Sequence, residues 1–136
     1  MASYNKFQSF VEKVAEKVHN LGSDTLTVAL SSVAPVATNN VLADLTQIAY
    51  TNLSSRVLTT ATSAHTTGTY KLVINDLTLT ASGGAVAAFR YITVYNATAA
   101  SSDLICWFDY GSSLTLADGE TLTLDFDGTN GLLQIA

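Results

Sequence analysis

The apolar positions of the chain change their period at Gly22, and the part before it has the period of a helix. Six apolar residues of this part fall within an arc of about 100° on a helix: Phe7, Phe10, Val11, Val14, Val18 and Leu21. The pattern predicts one amphipathic helix over about residues 4–20, with Ser3 as its N-cap and Gly22 in the left-handed conformation just past its end. His19 falls on the polar face of this helix. The apolar stripe either packs on its own domain or docks into a partner's groove.

Beyond Gly22, apolar and polar residues alternate as they do in half-buried strands. Leu122, Leu124 and Phe126, for example, share one side of a strand whose other side carries Thr and Asp. Strands are predicted at about 25–31, 55–62, 69–80, 87–96, 103–110, 120–126 and 131–135. Residues 41–51 fit a helix or a strand. The sequence therefore predicts one all-β domain over 1–136: a jelly-roll-like antiparallel β-sandwich of 7–8 strands from about residue 24, preceded by the helix.

Glycine, Asn and Asp mark the ends of these strands. Four dipeptides predict turns: Tyr110-Gly111, Asp118-Gly119, Asp127-Gly128 and Asn130-Gly131. The run Asp125–Gly131 as a whole predicts a tight hairpin. Within 69–80 the apolar positions change phase at Asn75-Asp76, which predicts a bulge or a corner.

The chain is acidic and sparsely charged. Its formal net charge is −5 and 12% of its residues are charged, about half the usual share. The basic residues form no stripe, so nucleic acid is not an expected partner. No apolar run approaches the roughly 20 residues of a membrane helix, and Met1–Leu21 lacks the apolar run of a secretion signal, so no membrane partner is expected. A surface of small neutral polar groups suits permanent contact with other proteins, although threonine-rich exposed strand faces would also produce it.

The residues that carry chemistry are isolated from one another. Cys106 lies in an apolar run, which predicts a buried thiol, and neither His19 nor His65 stands in a spaced cluster of metal ligands. The run Asp125–Gly131 superficially resembles a calcium loop, but its twelfth position is Ala136 where such a loop has a glutamate. The nucleophile motif Gly-x-Ser-x-Gly is absent. The chain is not expected to be an enzyme, and no catalytic residue, cofactor or metal is predicted.

The predicted strands 87–96 and 103–110 carry apolar or aromatic residues on both faces. This indicates that both strands are central or that one face meets a partner. Tyr91, Tyr95 and Trp107 are therefore candidates for core packing or self-association. Together with Tyr110 they could instead stack on sugars, if they shared an exposed face.

Four stretches of the chain carry a resemblance to a known family. They are Val11–Leu26, Thr80–Gly84 leading to Phe89-Arg90-Tyr91, Asp109–Ser113 and Leu116–Thr121. Together they resemble small structural proteins of tailed bacteriophages, the head cement or decoration proteins, over nearly the whole chain. The most specific part of the likeness runs from Asp109 to Gly131. The family often has Gly-Pro and a second tryptophan where this chain has Ala87-Ala88 and Phe108.

The resemblance implies a structural role. A cement protein of this family binds the outer surface of the assembled capsid and bridges subunits of the major capsid protein. It would be made in the host cytoplasm and located in the virion, and a homodimer is expected. Contact with the capsid is assigned to two loops with small apolar side chains: Val33, Ala34, Pro35, Val36 and Ala37 in one, Gly83, Gly84, Ala85 and Val86 in the other. Self-association is assigned to Tyr91, Tyr95 and Trp107. The alternatives are a tail tube or tail fibre component and a carbohydrate-binding module.

Overall fold

The computed structural model describes residues 2–136, and within them the fold is all-β and antiparallel, as predicted. Nine strands occur in this range: β1 Asn5–Lys6, β2 Leu26–Ser31, β3 Thr60–Thr66, β4 Thr69–Ile74, β5 Leu77–Thr80, β6 Phe89–Asn96, β7 Leu104–Leu114, β8 Thr121–Leu124 and β9 Leu133–Ile135. One helix, α1, spans Phe10–Ala15, and a short 3-10 helix spans Leu42–Asp44. The prediction of seven or eight strands was low because it did not include β1 and counted β4 and β5 as one.

The strands form three antiparallel sheets around one main core. The largest sheet has the order β1-β7-β6-β2, a second has β3-β4-β9 and a third pairs β5 with β8. Alternate residues of β2, such as Val28 and Leu30, are fully buried in this core together with Ile74 of β4 and Leu79 of β5. These alternate side chains leave water together on the face of β2 that meets the main core, as the period of two in the sequence predicts.

The corner predicted at Asn75-Asp76 is confirmed. β4 ends at Ile74 in the three-stranded sheet, and β5 begins at Leu77 in the two-stranded sheet. The backbone N–H of Asn75 donates to the carbonyl of Thr59 at 2.9 Å, and Asp76 Oδ1 accepts the N–H of Phe126 at 2.8 Å. The phase change in the sequence arises because the chain leaves one sheet and enters another.

The predicted helix over 4–20 is wrong in its extent. Residues Asn5–Lys6 form β1, and α1 has six residues. Phe7 and Phe10 explain the difference, because they are buried in two separate clusters on opposite faces of the four-stranded sheet. A single helical stripe could not serve both clusters.

Both predicted ends of the helix are also wrong. Ser9, not Ser3, occupies the N-cap position, and its side chain makes no capping hydrogen bond. Lys17, not Gly22, has the left-handed conformation, with φ of 65°. The N–H of Val18 donates to the carbonyl of Lys13 at 2.9 Å, which closes the helix with the hydrogen bond of a Schellman motif.

Three further local predictions need correction. β3 begins at Thr60 rather than near 55, because residues 56–58 lie beside β2 instead of β4. Tyr110-Gly111 is not a turn: β7 continues to Leu114, and Gly111 lies with φ of 99° in a bulge opposite β6. The hairpin at 125–131 does not form, since β8 pairs with β5 and β9 with β4. That loop instead carries the chain from one sheet to another.

The central position predicted for β6 and β7 is confirmed. Their inner faces line the main core, and their outer faces contribute to a second, smaller cluster. Phe7, Ala29, Tyr95 and Leu104 are buried in that cluster, and Leu42, Leu45 and Trp107 pack against it. The chain therefore covers part of the outer face of its own largest sheet. The 3-10 helix at Leu42–Asp44 contributes to this cover, in the stretch 41–51 for which the sequence fitted a helix or a strand.

Candidate functional site

The segment Val33–Ala37 presents apolar side chains on the surface. Val33 and Val36 are each 54% exposed, whereas Pro35 is buried and is removed from the predicted contacts. Ser31 Oγ donates to the carbonyl of Val33 at 2.8 Å, and the N–H of Gln8 donates to the carbonyl of Ala37 at 2.9 Å. These bonds hold the segment at both ends. No charged residue occurs between Asp24 and Asp44.

The second predicted contact loop offers less side-chain surface. Val86 is 1% exposed and belongs to the main core, so its prediction as a contact residue is wrong. Asn52 Nδ2 donates to the carbonyl of Ala85 at 3.2 Å, and a Cβ on Gly84 would lie 2.6 Å from that same nitrogen. Gly83 donates its N–H to Asp118 Oδ1 at 3.0 Å. Within residues 2–136, no hydrogen bond joins this loop to the Val33–Ala37 segment.

The three aromatic residues assigned to self-association lie in different environments. Tyr95 is 7% exposed in the smaller cluster, so it is not available to a partner. Trp107 is half-buried, with its ring centroid 4.6 Å from that of Phe7. Tyr91 is half-buried beside the guanidinium of Arg90, which lies 5.4 Å from its ring. These rings do not share the single exposed face that a sugar platform requires.

A groove between α1 and β9 forms a second exposed apolar surface. Its volume is about 540 Å³. Tyr4, Val11 and Ile135 line it and are 39%, 54% and 42% exposed. Phe10 and Leu132 form part of the same lining. The sequence analysis did not find this surface, because its residues come from the two ends of the chain.

The candidate reactive groups are held by the fold in structural roles. Cys106 is fully buried, as predicted, and burial raises the pKa of its thiol. The carboxylate of Asp127 accepts the N–H groups of Thr129 and Asn130, each at 2.8 Å, and these bonds lower its pKa. His65 is exposed on β3. In the part of the chain that the structure describes, no three His, Cys, Asp or Glu side chains are grouped as ligands of a metal ion.

His19 is not on an exposed polar face, because it is 6% exposed inside a cluster of polar side chains. This polar cluster consists of Lys13, His19, Asp24, Asn96 and Asp103. Asn96 Nδ2 lies 3.0 Å from His19 Nδ1 and donates to Asp24 Oδ2 at 2.6 Å. Lys13 forms an ion pair with Asp103, which is buried.

The polar cluster joins the N-terminal part of the chain to the connection between β6 and β7. Lys13 lies on α1 and His19 in the turn that follows it, whereas Asn96 ends β6 and Asp103 precedes β7. No sequence spacing could have indicated this cluster, since its members lie up to 90 positions apart.

Over residues 2–136 no helix has the length and apolar character needed to cross a membrane. Comparison of the chain with protein-family models, curated proteins and solved structures found no significant match.

Proposed function

We propose that this protein is a bacteriophage cement or decoration protein that binds the outside of the assembled capsid and bridges subunits of the major capsid protein. The proposal rests on the family resemblance of the sequence and on one structural observation that supports it. That observation is the Val33–Ala37 segment, in which two exposed valines are held between hydrogen-bonded ends.

This segment has the properties of a protein-binding surface. The centres of protein interfaces are depleted of charged residues, and the stretch between Asp24 and Asp44 has none. Because the hydrogen bonds at Ser31 and Gln8 already order the backbone, binding would cost little further entropy. Even a modest contact gains strength when many copies bind one lattice and each bridges two subunits.

The proposal includes self-association into a homodimer. The exposed strand β3 ends its sheet and pairs with β4 alone among the described strands. It carries no charged residue, so a second copy could approach its edge without bringing like charges together. An isologous dimer is the commonest arrangement for such a surface.

The test is binding to purified phage capsids that lack this protein. Wild-type protein is expected to co-sediment saturably with these capsids and to raise the temperature at which they rupture. The double variant Val33→Asp/Val36→Asp is expected to lose at least tenfold in affinity, because two carboxylates would have to leave water. Val57→Asp is the matched control, since Val57 lies beside β2 and is 49% exposed, close to the 54% of Val33 and Val36.

Each other outcome contradicts part of the proposal. Equal loss in Val57→Asp would mean that acidity alone, rather than the Val33–Ala37 segment, controls binding. Loss in Val11→Asp with full binding by the Val33→Asp/Val36→Asp variant would move the contact to the groove beside α1. Absence of binding by the wild-type protein, together with rings or fibres in sedimentation velocity, would favour a tail tube or fibre component. Quenching of Trp107 fluorescence by sugars, without capsid binding, would favour a carbohydrate-binding module.

A further inference from the structure

The polar cluster accommodates His19 in one protonation state. Asn96 Oδ1 accepts the N–H groups of Thr98 and Ala99 at 2.9 and 3.1 Å, and Asn96 Nδ2 donates to Asp24. These three bonds fix the orientation of the amide. Its NH₂ group therefore faces His19 Nδ1 at 3.0 Å, and that ring nitrogen has to act as an acceptor.

The other ring nitrogen cannot compensate for a second proton. His19 Nε2 is buried and has no hydrogen-bond partner among the described residues. A neutral ring carries its proton there, and a second proton on Nδ1 would point at the hydrogens of Asn96. Burial lowers the pKa of His19 and outweighs Asp103 and Asp24, which raise it; the ammonium of Lys13 lowers it further.

The other neighbours of the ring make no hydrogen bond to its Nε2 among the described residues. Phe10 lies against the ring, with ring centroids 5.4 Å apart. Lys17, Asn20 and Tyr70 line the depression beside it. The charged groups around His19 come from α1, from the turn that follows it, from the turn before β2 and from the turn before β7.

We propose that the polar cluster is a pH-sensitive latch, which holds the N-terminal segment, residues 2–22, on the sheet and lets it open more often in mildly acidic solution. Release would break the pairing of β1 with β7, at Asn5 with Trp107 and at Lys6 with Cys106. It would also remove Phe7 from the ring of Trp107. The edge of β7 would then be free for another strand. This inference does not depend on the proposed function.

The direction of the pH effect follows from linkage. A histidine in the released segment titrates near pH 6.5, and the latched ring has a lowered pKa. The released state therefore binds the proton more strongly. The latch is fully closed above about pH 6.5, and the equilibrium constant for release rises by about tenfold for each pH unit below it, until the latched ring itself titrates.

Amide hydrogen exchange tests the latch, once each rate is corrected for the pH dependence of exchange in an unstructured chain. Between about pH 7.5 and pH 5.5 we expect the protection factors of residues 5–21 to fall by about tenfold. Protection factors in the central strands β2 and β6 should stay unchanged over this range. Loss of protection in all strands together would mean global acid unfolding and would overturn the latch.

Two matched histidine variants separate the latch from other titrations. His19→Gln keeps an acceptor for Asn96 but cannot be protonated, so the pH dependence of release should disappear. His65→Gln, on exposed β3, should keep it. Retention of the full pH dependence in His19→Gln would overturn the proposal. Should that variant fail to fold, NMR titration of the wild-type ring protons decides instead: His19 is expected to titrate below the ordinary histidine value of about 6.5, and a value at or above it would overturn the latch.

Discussion

The strands β2 and β7 lie on either side of β6 in the largest sheet, and their outer edges are closed by different means. The edge of β2 is covered by residues 47–58, which we call the covering segment, and the edge of β7 is covered by β1 of the N-terminal segment. The covering segment runs from the end of the 3-10 helix to the start of β3, whereas the strand that covers β7 has only two residues.

The covering segment uses side chains where its backbone leaves β2. Its backbone pairs with β2 at Ile48, Arg56 and Leu58, through bonds of 2.9–3.0 Å to Leu30, Val28 and Leu26. Between these points, Tyr50 Oη accepts the N–H of Leu30 at 3.0 Å, and the guanidinium of Arg56 donates to the carbonyl of Val28. Arg56 also lies 3.6 Å above the ring of Tyr50. A strand edge can therefore be completed by side chains that take the place of backbone groups.

The edge of β7 depends on one short strand and on apolar anchors. β1 has two residues, and the N–H of Phe7 adds one bond to the carbonyl of Ile105 at 3.2 Å. Phe7 itself is fully buried beside Trp107. We therefore expect this edge to open locally, and the edge of β2 to open with global unfolding, because local opening favours segments with few contacts.

Removal of the Phe7 anchor should have the largest effect. Phe7→Ala is expected to lower the free energy of unfolding by about 3–4 kcal/mol, because a fully buried ring is lost from the smaller cluster. Urea denaturation measures this loss, and the emission of Trp107 should shift to the red in the folded variant. Val11→Ala is the control, since Val11 is 54% exposed and should change stability by less than about 0.5 kcal/mol. A loss below about 1 kcal/mol for Phe7→Ala would show that the ring does not anchor this edge.

Loss of the Arg56 side chain, at the edge of β2, should have the second-largest effect on stability. Arg56→Ala is expected to cost about 2 kcal/mol, because the carbonyl of Val28 loses a charged donor and the ring of Tyr50 loses its cation. The measurement is again urea denaturation at constant m-value.

Arg90→Ala provides the control for that experiment. Arg90 makes a two-pronged ion pair with Asp109 at 2.7 and 2.9 Å, but both side chains are about 40% exposed. An ion pair in solvent contributes little to stability, so Arg90→Ala should leave the free energy of unfolding almost unchanged. An equal loss of unfolding free energy in Arg56→Ala and Arg90→Ala would mean that the contacts of Arg56 at the edge of β2 stabilise the fold no more than a surface ion pair does.

Local sequence patterns were sufficient where the pattern of apolar residues shows how many faces of a strand are buried. The corner at Asn75-Asp76 followed from the phase change of the apolar residues, and the central position of β6 and β7 followed from apolar residues on both of their faces. The N-terminal helix was overextended for the opposite reason. Periodicity records that Phe7 and Phe10 are apolar, but not that they enter different clusters on opposite faces of a sheet.

Long-range polar contacts could not be predicted from the sequence. His19 has the period of an exposed helical position, and its partner Asn96 lies 77 positions away. Arg56 and Tyr50 are ordinary surface residue types whose partners are backbone atoms of β2. Backbone N–H and C=O groups are the same in every strand, so the sequence does not indicate which of these groups a side chain will bind.

The smallest expected effect concerns a single oxygen on the edge of β2. Tyr50→Phe keeps the ring beneath Arg56 and removes the hydroxyl that accepts the N–H of Leu30 and donates to Gln47 at 2.6 Å. Leu30 is fully buried, so its N–H would lose its partner without gaining water. The expected cost is about 1 kcal/mol.

The amide of Leu30 gives the direct measurement, since its hydrogen exchange should accelerate in Tyr50→Phe. Tyr110→Phe, at a tyrosine that is 46% exposed, should leave both stability and that amide unchanged. Unaltered exchange at Leu30 in Tyr50→Phe would mean that the covering segment excludes water by its bulk alone. Faster exchange at this one amide, with the rest of β2 protected, would mean that a phenol oxygen replaces a strand carbonyl there. The edges of β2 and β7 would then differ in chemistry as well as in the length of the segment that covers each.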